Sequence, residues 1–180
     1  MEKNLTLIAL FAALIAALGL LPAMMLPGGV PITAQSLGIM LCGTVLGSRR
    51  GALAVLLFLL VVALGLPVLS GGRGGLGVFL GPSVGFLIGF PLAAFVAGLV
   101  VERLNAPIAL SAGLGAALGG MVLLYPIGAL GWALMLDKTL ADVGVFVLGF
   151  LPGDAIKCLL AALITRAIGQ MRPGVLLSRA

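Results

Sequence analysis

The stretch Gly153-Asp154-Ala155-Ile156-Lys157 lies near the middle of a long apolar run, residues 143–165, in which Asp154 and Lys157 are the only charged residues. About 20 apolar residues span the hydrocarbon core of a bilayer, so the run predicts a membrane helix that carries both charges at depth. A charge at a helix centre costs about 2.5–3.5 kcal/mol and needs a partner, a polar cavity or a ligand. The spacing of three places both side chains on one helical face. The pair is either a self-neutralising ion pair that holds helices together or part of a ligand site, and we favour the ligand site.

The composition of the whole chain agrees with a membrane location. Of the 180 residues, 62% are hydrophobic and 8% are charged, and the mean hydropathy is +1.35. Soluble domains carry about 25% charged residues, so we predict a polytopic membrane protein with a single membrane-embedded domain over residues 1–180. The basic residues interrupt apolar runs and form no stripe, which argues against a nucleic-acid partner. Two cysteines and no histidine indicate neither a disulfide framework nor a zinc site.

Charges and Pro/Gly interruptions divide the chain into six predicted membrane spans. They cover residues 5–21, 32–47, 51–66, 82–101, 108–125 and 143–168. A cleaved signal peptide is the alternative for the first span, but the run is long and no clear small-residue cleavage site follows it. After the fifth span, Pro126 and Gly128 begin a predicted connecting segment that contains Trp132. Tyr125 and Trp132 are residue types that favour the membrane interface and that can also line a ligand pocket.

The basic residues predict the orientation of these spans. With six spans, one side receives Lys3, Arg49, Arg50, Arg103, Arg166, Arg172 and Arg179, whereas Arg73 and Lys138 lie on the other. The positive-inside rule then places both termini in the cytoplasm. The Pro/Gly loop after the first span (Pro22, Pro27, Gly28, Gly29 and Pro31), the glycine-rich residues 70–77 and the Trp132 segment share the outer face, so a site built from them would open outward.

Two features on the outer side are candidate ligand contacts. Residues 70–77 contain the pattern G-x-G-x-x-G, but a dinucleotide site needs a βαβ unit and membrane helices flank this loop. The loop is either a flexible turn or a means of bringing backbone N–H groups and the Arg73 guanidinium close to an anion. Gln35, at the start of the second span, is either an interfacial residue or a ligand contact.

Small residues recur along the first span. Ala9, Ala13 and Ala17 are four positions apart, and Ala12 and Ala16 lie beside them. Such a strip lets another helix approach closely, and that helix belongs either to the same bundle or to a separate subunit. The chain has no G-x-x-x-x-G-K-[ST] loop, so any ATP that drives transport would have to be bound by another protein.

Five segments, in order, resemble the BioY family, the biotin-binding S components of energy-coupling-factor (ECF) transporters. They are residues 30–38 (VPITAQSLG), 46–51 (LGSRRG), 71–77 (GGRGGLG), 80–86 (LGPSVGF) and 152–157 (PGDAIK). The resemblance covers essentially the whole chain, with serine at positions 36 and 83 where the family more often has threonine. It implies an all-α protein of the bacterial inner membrane, with the six-helix S-component fold, an outward biotin pocket and no enzymatic activity. Biotin is then the transported ligand, and no cofactor is expected.

The same resemblance implies partners and residue roles. A transmembrane coupling subunit and two ATPase subunits would energise uptake, although some members are proposed to work without them, and a homo-oligomer is an open alternative. The alanine strip would contact the coupling subunit, and Asp154 and Lys157 match the family's functional Asp and Lys. The candidate ligand residues are Asp154, Lys157, Arg73, Gln35, Gly74, Gly75, Phe86, Tyr125 and Trp132.

The chemistry of biotin suggests which part of the ligand each of these residues contacts. Asp154 can accept hydrogen bonds from the ureido N–H groups, and Lys157 can donate to the ureido carbonyl or another ligand oxygen. Arg73 and the glycine-loop amides suit the carboxylate, and the aromatic side chains suit the apolar rings. Two other classes stay open. An ion-coupled secondary transporter would use Asp154 and Lys157 as a relay, whereas an intramembrane enzyme would have only these two buried titratable groups.

Overall fold

Helices form almost all of the regular structure. The computed structural model describes residues 2–25 and 31–179. Its helices are α1 (Glu2–Leu18), α2 (Gln35–Leu46), α3 (Ser48–Ala63), α4 (Val84–Arg103), α5 (Ile108–Ala117), α6 (Leu124–Leu136), α7 (Leu140–Leu148) and α8 (Leu151–Met171). Two short strands, β1 (Met24–Met25) and β2 (Pro31–Ile32), pair antiparallel. Pro27, Gly28 and Gly29 of the predicted Pro/Gly loop lie outside the described residues.

The helices α5 and α6 belong to one continuous helix. It runs from Ile108 to Leu136, 29 residues, with the π-helical segment Leu118–Leu123 between its two α-helical parts. The prediction of a connecting segment that begins at Pro126 was therefore wrong. Proline removes a helical hydrogen bond, but membrane helices tolerate it where neighbouring helices and local π-helical adjustments satisfy the freed backbone groups. Tyr125 and Trp132 consequently lie two turns apart on the same helix.

The last predicted span is bent. Helices α7 and α8 meet at an angle of 52°, and Pro152 lies in the first turn of α8, where its missing N–H would be unpaired in any case. Two helices thus replace the single span predicted over residues 143–168. The break places Asp154 in the first turn of α8, where the partial positive charge of a helix N-terminus favours a carboxylate. The charge is therefore at a helix end and not at a helix centre.

Helix α2 lies in the interior of the bundle. Ten of its 12 residues are buried, which fits a short helix that is apolar on all sides. Close backbone packing makes this possible. A Cβ atom on Gly43 of α2 would collide with the carbonyl of Ala94 in α4, and one on Gly119 would collide with the carbonyl of Ala93. Helix α4 is thereby held against α2 on one side and against the α5–α6 helix on another.

The outer surface of the bundle is apolar, as expected for a membrane protein. On α3, the exposed fractions of Leu53, Leu56 and Leu60 are 51%, 50% and 56%, which suits contact with lipid chains. Within the described residues, α4 and the α5–α6 helix are long and apolar enough to cross a membrane, and the bent α7–α8 pair would be a third crossing. The chain is an all-helical membrane protein, while the six crossings and the cytoplasmic termini stay predictions.

Candidate ligand-binding site

A cavity lies where the first turns of α2, α4 and α8 meet the start of α6. Its lining comes from five separate parts of the chain: Thr33, Gln35, Ser36, Leu69, Arg73, Ser83, Phe86, Leu87, Phe90, Leu124, Tyr125, Phe150, Asp154 and Lys157. Small-molecule sites have this composition, with mostly apolar walls and a few polar groups that converge on one point. We call this space the ligand cavity.

Asp154 is the centre of the polar group in the ligand cavity. Its side chain is buried, and its Oδ1 accepts hydrogen bonds from Lys157 Nζ at 2.7 Å and from Ser36 Oγ at 3.3 Å. Its Oδ2 accepts from the Tyr125 hydroxyl at 3.0 Å. Three donors therefore compensate a carboxylate whose burial would otherwise be strongly unfavourable. Asp154 and Lys157 neutralise each other and also line a cavity, so the ion pair is present and the ligand site stays a prediction.

Lys157 retains hydrogen-bonding capacity. Its Nζ donates to Asp154 Oδ1 and, at 2.9 Å, to Ser36 Oγ. An ammonium group has three donors, and the third N–H has no acceptor in the described part of the chain. Ser36 was not among the predicted ligand residues. It lies one residue from Gln35 inside a motif of the family, and that position was the available signal.

Aromatic side chains form one wall of the cavity, with Phe150 between the others. The ring centroids of Phe86 and Phe150 are 5.6 Å apart in an edge-to-face arrangement, and those of Tyr125 and Phe150 are 6.3 Å apart. Sequence reasoning missed Phe150, because nothing in an apolar run marks one phenylalanine as facing a cavity. Phe86 and Tyr125 line the cavity as expected.

Trp132 is behind this wall and not in it. Its side chain is only 1% exposed, and its ring lies 5.9 Å from that of Phe146 and 6.5 Å from that of Phe150. This corrects the expectation that Trp132 lines the pocket or lies at the membrane interface. Because the chain continues as a helix through Pro126, the indole is carried into the core, where it supports Phe150. Its Nε1–H has no hydrogen-bond partner among the described residues.

The glycine-rich loop presents Arg73 at the edge of the cavity. Leu69 and Arg73 are joined by two backbone hydrogen bonds of 3.0 and 3.2 Å, and between them Gly71 and Gly72 have φ angles of 80° and 69°, a region that favours glycine. The loop is thus a defined turn. Arg73 Nε donates to Ser70 O at 3.2 Å and Nη1 to Ser83 Oγ at 3.4 Å. Burial lowers the pKa of Arg73 from its ordinary value, yet arginine stays protonated in proteins.

The two other predicted loop residues lie outside the ligand cavity. Gly74 lines a shallower depression beside it, together with Arg73 and Ser83. The N–H of Gly75 donates to Val62 O at 2.8 Å, so this amide already has an acceptor. Neither glycine lines the ligand cavity, and Arg73 is the loop residue that reaches it. Contact of these two glycines with a ligand stays a prediction.

Gln35 connects three segments of the protein. Its Nε2 donates to Ile15 O at 3.1 Å and to Val68 O at 3.0 Å, and its Oε1 accepts from Ser70 N at 3.0 Å. Both amide hydrogens are therefore used, and the side chain is 3% exposed. Gln35 lines the cavity, but these bonds indicate that it holds α1 and the glycine-rich loop in place.

The alanine strip of α1 divides into two faces. Ala9, Ala13 and Ala17 are exposed, whereas Ala12 is buried and Ala16 is half-buried. The first three lie on a surface that another protein can reach, and Ala12 packs inside the bundle.

Comparisons with known proteins agree on one family. The model of the BioY family matches residues 2–174. The biotin transporter BioY of Rhodobacter capsulatus is 56% identical, over 99% of this chain and 100% of that protein. The probable biotin transporter BioY of Bacillus subtilis is 41% identical over 91% and 88%. The crystal structure of the S-component for biotin from an ECF-type ABC transporter, 32% identical, superposes with a TM-score of 0.89 over 97% of this chain and 96% of that one.

Proposed function

The chain belongs to the BioY family, and from this membership we propose that it is the membrane subunit that captures biotin for uptake into a bacterial cell. It is an integral membrane protein of the bacterial cell membrane and not an enzyme. The observation that carries the proposal is the placement of the buried Asp154 and the half-buried Lys157, which form an ion pair and both line a cavity. A pair that served only to join helices would have no need of one.

The hydrogen bonds left open by the pair complement a cyclic urea. A carboxylate offers about four lone-pair sites, and Asp154 uses three of them. One acceptor site therefore remains for a ureido N–H. The third N–H of Lys157 is a donor for the ureido carbonyl. Within one small region the site thus provides an acceptor and a donor, both of them charge-assisted and accordingly strong.

The remaining parts of biotin fit the other walls of the ligand cavity. Phe86, Phe90 and Phe150 offer apolar contact to the bicyclic ring and the valerate chain. Arg73 lies on the loop at the cavity edge, where its guanidinium suits the carboxylate. In this arrangement the ureido head is deepest and the carboxylate is nearest the outer surface.

Energy for release comes from other proteins. We propose that the exposed face of Ala9, Ala13 and Ala17 docks on a transmembrane coupling subunit, which two ATPase subunits drive. Small residues allow the close helix contact that association in a bilayer requires. Reorientation of the docked subunit then presents biotin to the cytoplasm.

The test is a biotin titration of the purified protein and two matched variants. Asp154→Asn removes the charge that accepts the ureido N–H, and we expect at least about a tenfold loss of affinity, since hydrogen bonds to charged groups contribute about 1.5–3 kcal/mol. Asp137→Asn is the control. Asp137 is exposed and has a left-handed backbone conformation that asparagine also adopts, so its affinity should be unchanged.

Two results would contradict the proposal. Unchanged affinity in the Asp154→Asn variant would remove the role assigned to this carboxylate. Uptake that followed the proton gradient in cells without the ATPases would favour the ion-coupled alternative, in which Asp154 and Lys157 form a relay.

A further inference from the structure

A second polar cavity lies at the other ends of α2 and α4. Their first turns line the ligand cavity, whereas their last residues, Leu46 and Glu102–Arg103, line this one together with the start of α3. Its lining includes three arginines, Arg49, Arg50 and Arg103, and three apolar residues, Leu46, Phe95 and Leu99. We call it the arginine cavity.

The carboxylate in the arginine cavity is already engaged. Glu102 Oε1 accepts the backbone N–H of Ser48 at 2.7 Å, and Oε2 accepts the Ser48 hydroxyl at 2.7 Å. The carboxylate therefore caps the start of α3. In the described part of the chain, none of the three guanidinium groups lies within ion-pair distance of a carboxylate. Three arginines consequently share the cavity with one carboxylate, Glu102, which is bound to Ser48 and forms no ion pair with them.

Apolar side chains continue from the arginines along both helices. On α3, Arg49 is followed on the same exposed face by Leu53, Leu56 and Leu60, which are four, three and four residues apart as a helical face requires. On α4, the corresponding face runs from Arg103 through Leu99 and Phe95. It then continues through Leu92 and Ile88, which are 49% and 60% exposed. Each helix thus has a cationic end and an apolar, outward-facing stripe.

We propose that the arginine cavity binds the phosphodiester headgroup of an anionic phospholipid, with its acyl chains along the stripes of α3 and α4. Guanidinium groups match phosphate oxygens in a bidentate geometry. Basic pockets between membrane helices on the cytoplasmic side bind anionic headgroups, and the charge distribution predicts this end of the bundle to be cytoplasmic. A free phosphate would use the arginines but gain nothing from the leucines. This inference is independent of the proposed biotin site.

The experiment compares lipid binding by two variants with equal loss of charge. Native mass spectrometry of purified protein would count phosphatidylglycerol and phosphatidylcholine of the same chain length bound at equal concentration. Arg50→Gln/Arg103→Gln removes one cavity arginine from each helix. Arg166→Gln/Arg172→Gln removes two exposed arginines, one in α8 and one directly after it, that do not line the cavity. Each arginine near an anionic surface contributes about fivefold in affinity. The affinity of the cavity variant for phosphatidylglycerol should therefore fall about 25-fold. The affinity of the control variant should stay within about threefold of that of the unaltered protein.

Three further outcomes separate a lipid site from a phosphate site, a general charge effect and a protein interface. Glycerol 3-phosphate should compete only at far higher concentration, and if it binds as tightly as the lipid, the lipid assignment fails. Equal losses in the two double variants would show that net charge alone attracts lipid, and would overturn a built site. An unchanged lipid preference combined with lost association with a coupling subunit would identify a protein interface instead.

Folding of the variants is checked by circular dichroism and size-exclusion chromatography. If the glutamine variant does not fold, Arg50→Lys/Arg103→Lys takes its place. Lysine keeps both charges but loses the bidentate geometry, so we expect a preference for phosphatidylglycerol that is reduced severalfold but present. A lysine variant with an unchanged preference would contradict phosphate recognition by the guanidinium groups.

Discussion

The two ends of α2 and α4 treat charge in opposite ways. The ligand cavity lies at their first turns, and there the buried Asp154 and the half-buried Lys157 of α8 satisfy each other with help from Ser36 and Tyr125. At their last turns, three arginines line a cavity and form no ion pair with a carboxylate of the described residues, since Glu102 is bound to Ser48. The difference shows that burial determines whether a charged side chain in a membrane protein needs an oppositely charged partner. A buried ion must be paired, whereas an ion at the surface can be hydrated by water and can take its counter-charge from salt or lipid.

Removal of the amine from the buried pair should have the largest effect. Lys157→Ala leaves Asp154 with only two neutral donors, and breaking a buried pair costs about 3–5 kcal/mol. We expect a loss of stability of this order together with loss of biotin binding. Thermal unfolding in detergent and a biotin titration measure the two. The control is Lys138→Ala, since Lys138 is exposed and surface substitutions usually stay within about 0.5 kcal/mol.

Replacement of both members of the pair sharpens this result. Asp154→Leu/Lys157→Met exchanges the ions for apolar residues, and such replacements are often neutral or stabilising. We therefore expect the double variant to regain most of the stability that Lys157→Ala loses, but not to bind biotin. If it bound biotin, the pair would be purely structural.

Removal of the Tyr125 hydroxyl should have the next largest effect on stability and biotin affinity. Tyr125→Phe removes the 3.0 Å hydrogen bond to Asp154 Oδ2 and keeps the ring against Phe150. Hydrogen bonds to charged groups contribute about 1.5–3 kcal/mol, so we expect a loss of this size, divided between stability and biotin affinity. Unfolding and titration experiments show the division. No change in either would mean that Lys157 and Ser36 alone compensate the carboxylate.

Substitution of Gln35 tests whether this residue of the ligand cavity stabilises the fold or contacts the ligand. Gln35→Ala leaves the carbonyls of Ile15 and Val68 and the N–H of Ser70 without this partner, at a cost of about 1–3 kcal/mol for an unsatisfied buried group. We expect the loss in the free energy of unfolding to be larger than the loss in the free energy of biotin binding. Gln170→Ala, an exposed position of α8, is the control. A loss of affinity without a loss of stability would make Gln35 a direct ligand contact.

The smallest effect on stability is expected at the exposed face of α1. Ala13→Leu should change stability by no more than about 0.5 kcal/mol, because the residue is exposed. It should leave biotin binding intact and block uptake if the face docks on a coupling subunit. Ala12→Leu is the matched comparison. Ala12 is buried, and overpacking costs about 1–3 kcal/mol. Normal uptake by the Ala13→Leu variant would show that the docking face lies elsewhere on the protein.

Sequence reasoning succeeded where the signal is local. The spacing of Asp154 and Lys157 predicted a shared face, and the two side chains lie 2.7 Å apart. It failed where the outcome depends on neighbours. A proline usually ends a helix, yet Pro126 lies inside one because a π-helical segment and the packing around it accommodate the lost hydrogen bond. Trp132 was placed in a connecting segment for that reason and is in the core instead.

The sequence by itself determined that this is a membrane protein, which residues carry its buried charge and to which family it belongs, because composition, short-range spacing and motif order are properties of the chain alone. Only the tertiary structure decided that Ser36 meets Lys157 across 121 positions and that Phe150 faces the cavity. It also decided that Ala13 faces outward while Ala12 faces inward. Such contacts depend on how distant helices pack, and many different apolar sequences satisfy the same local rules.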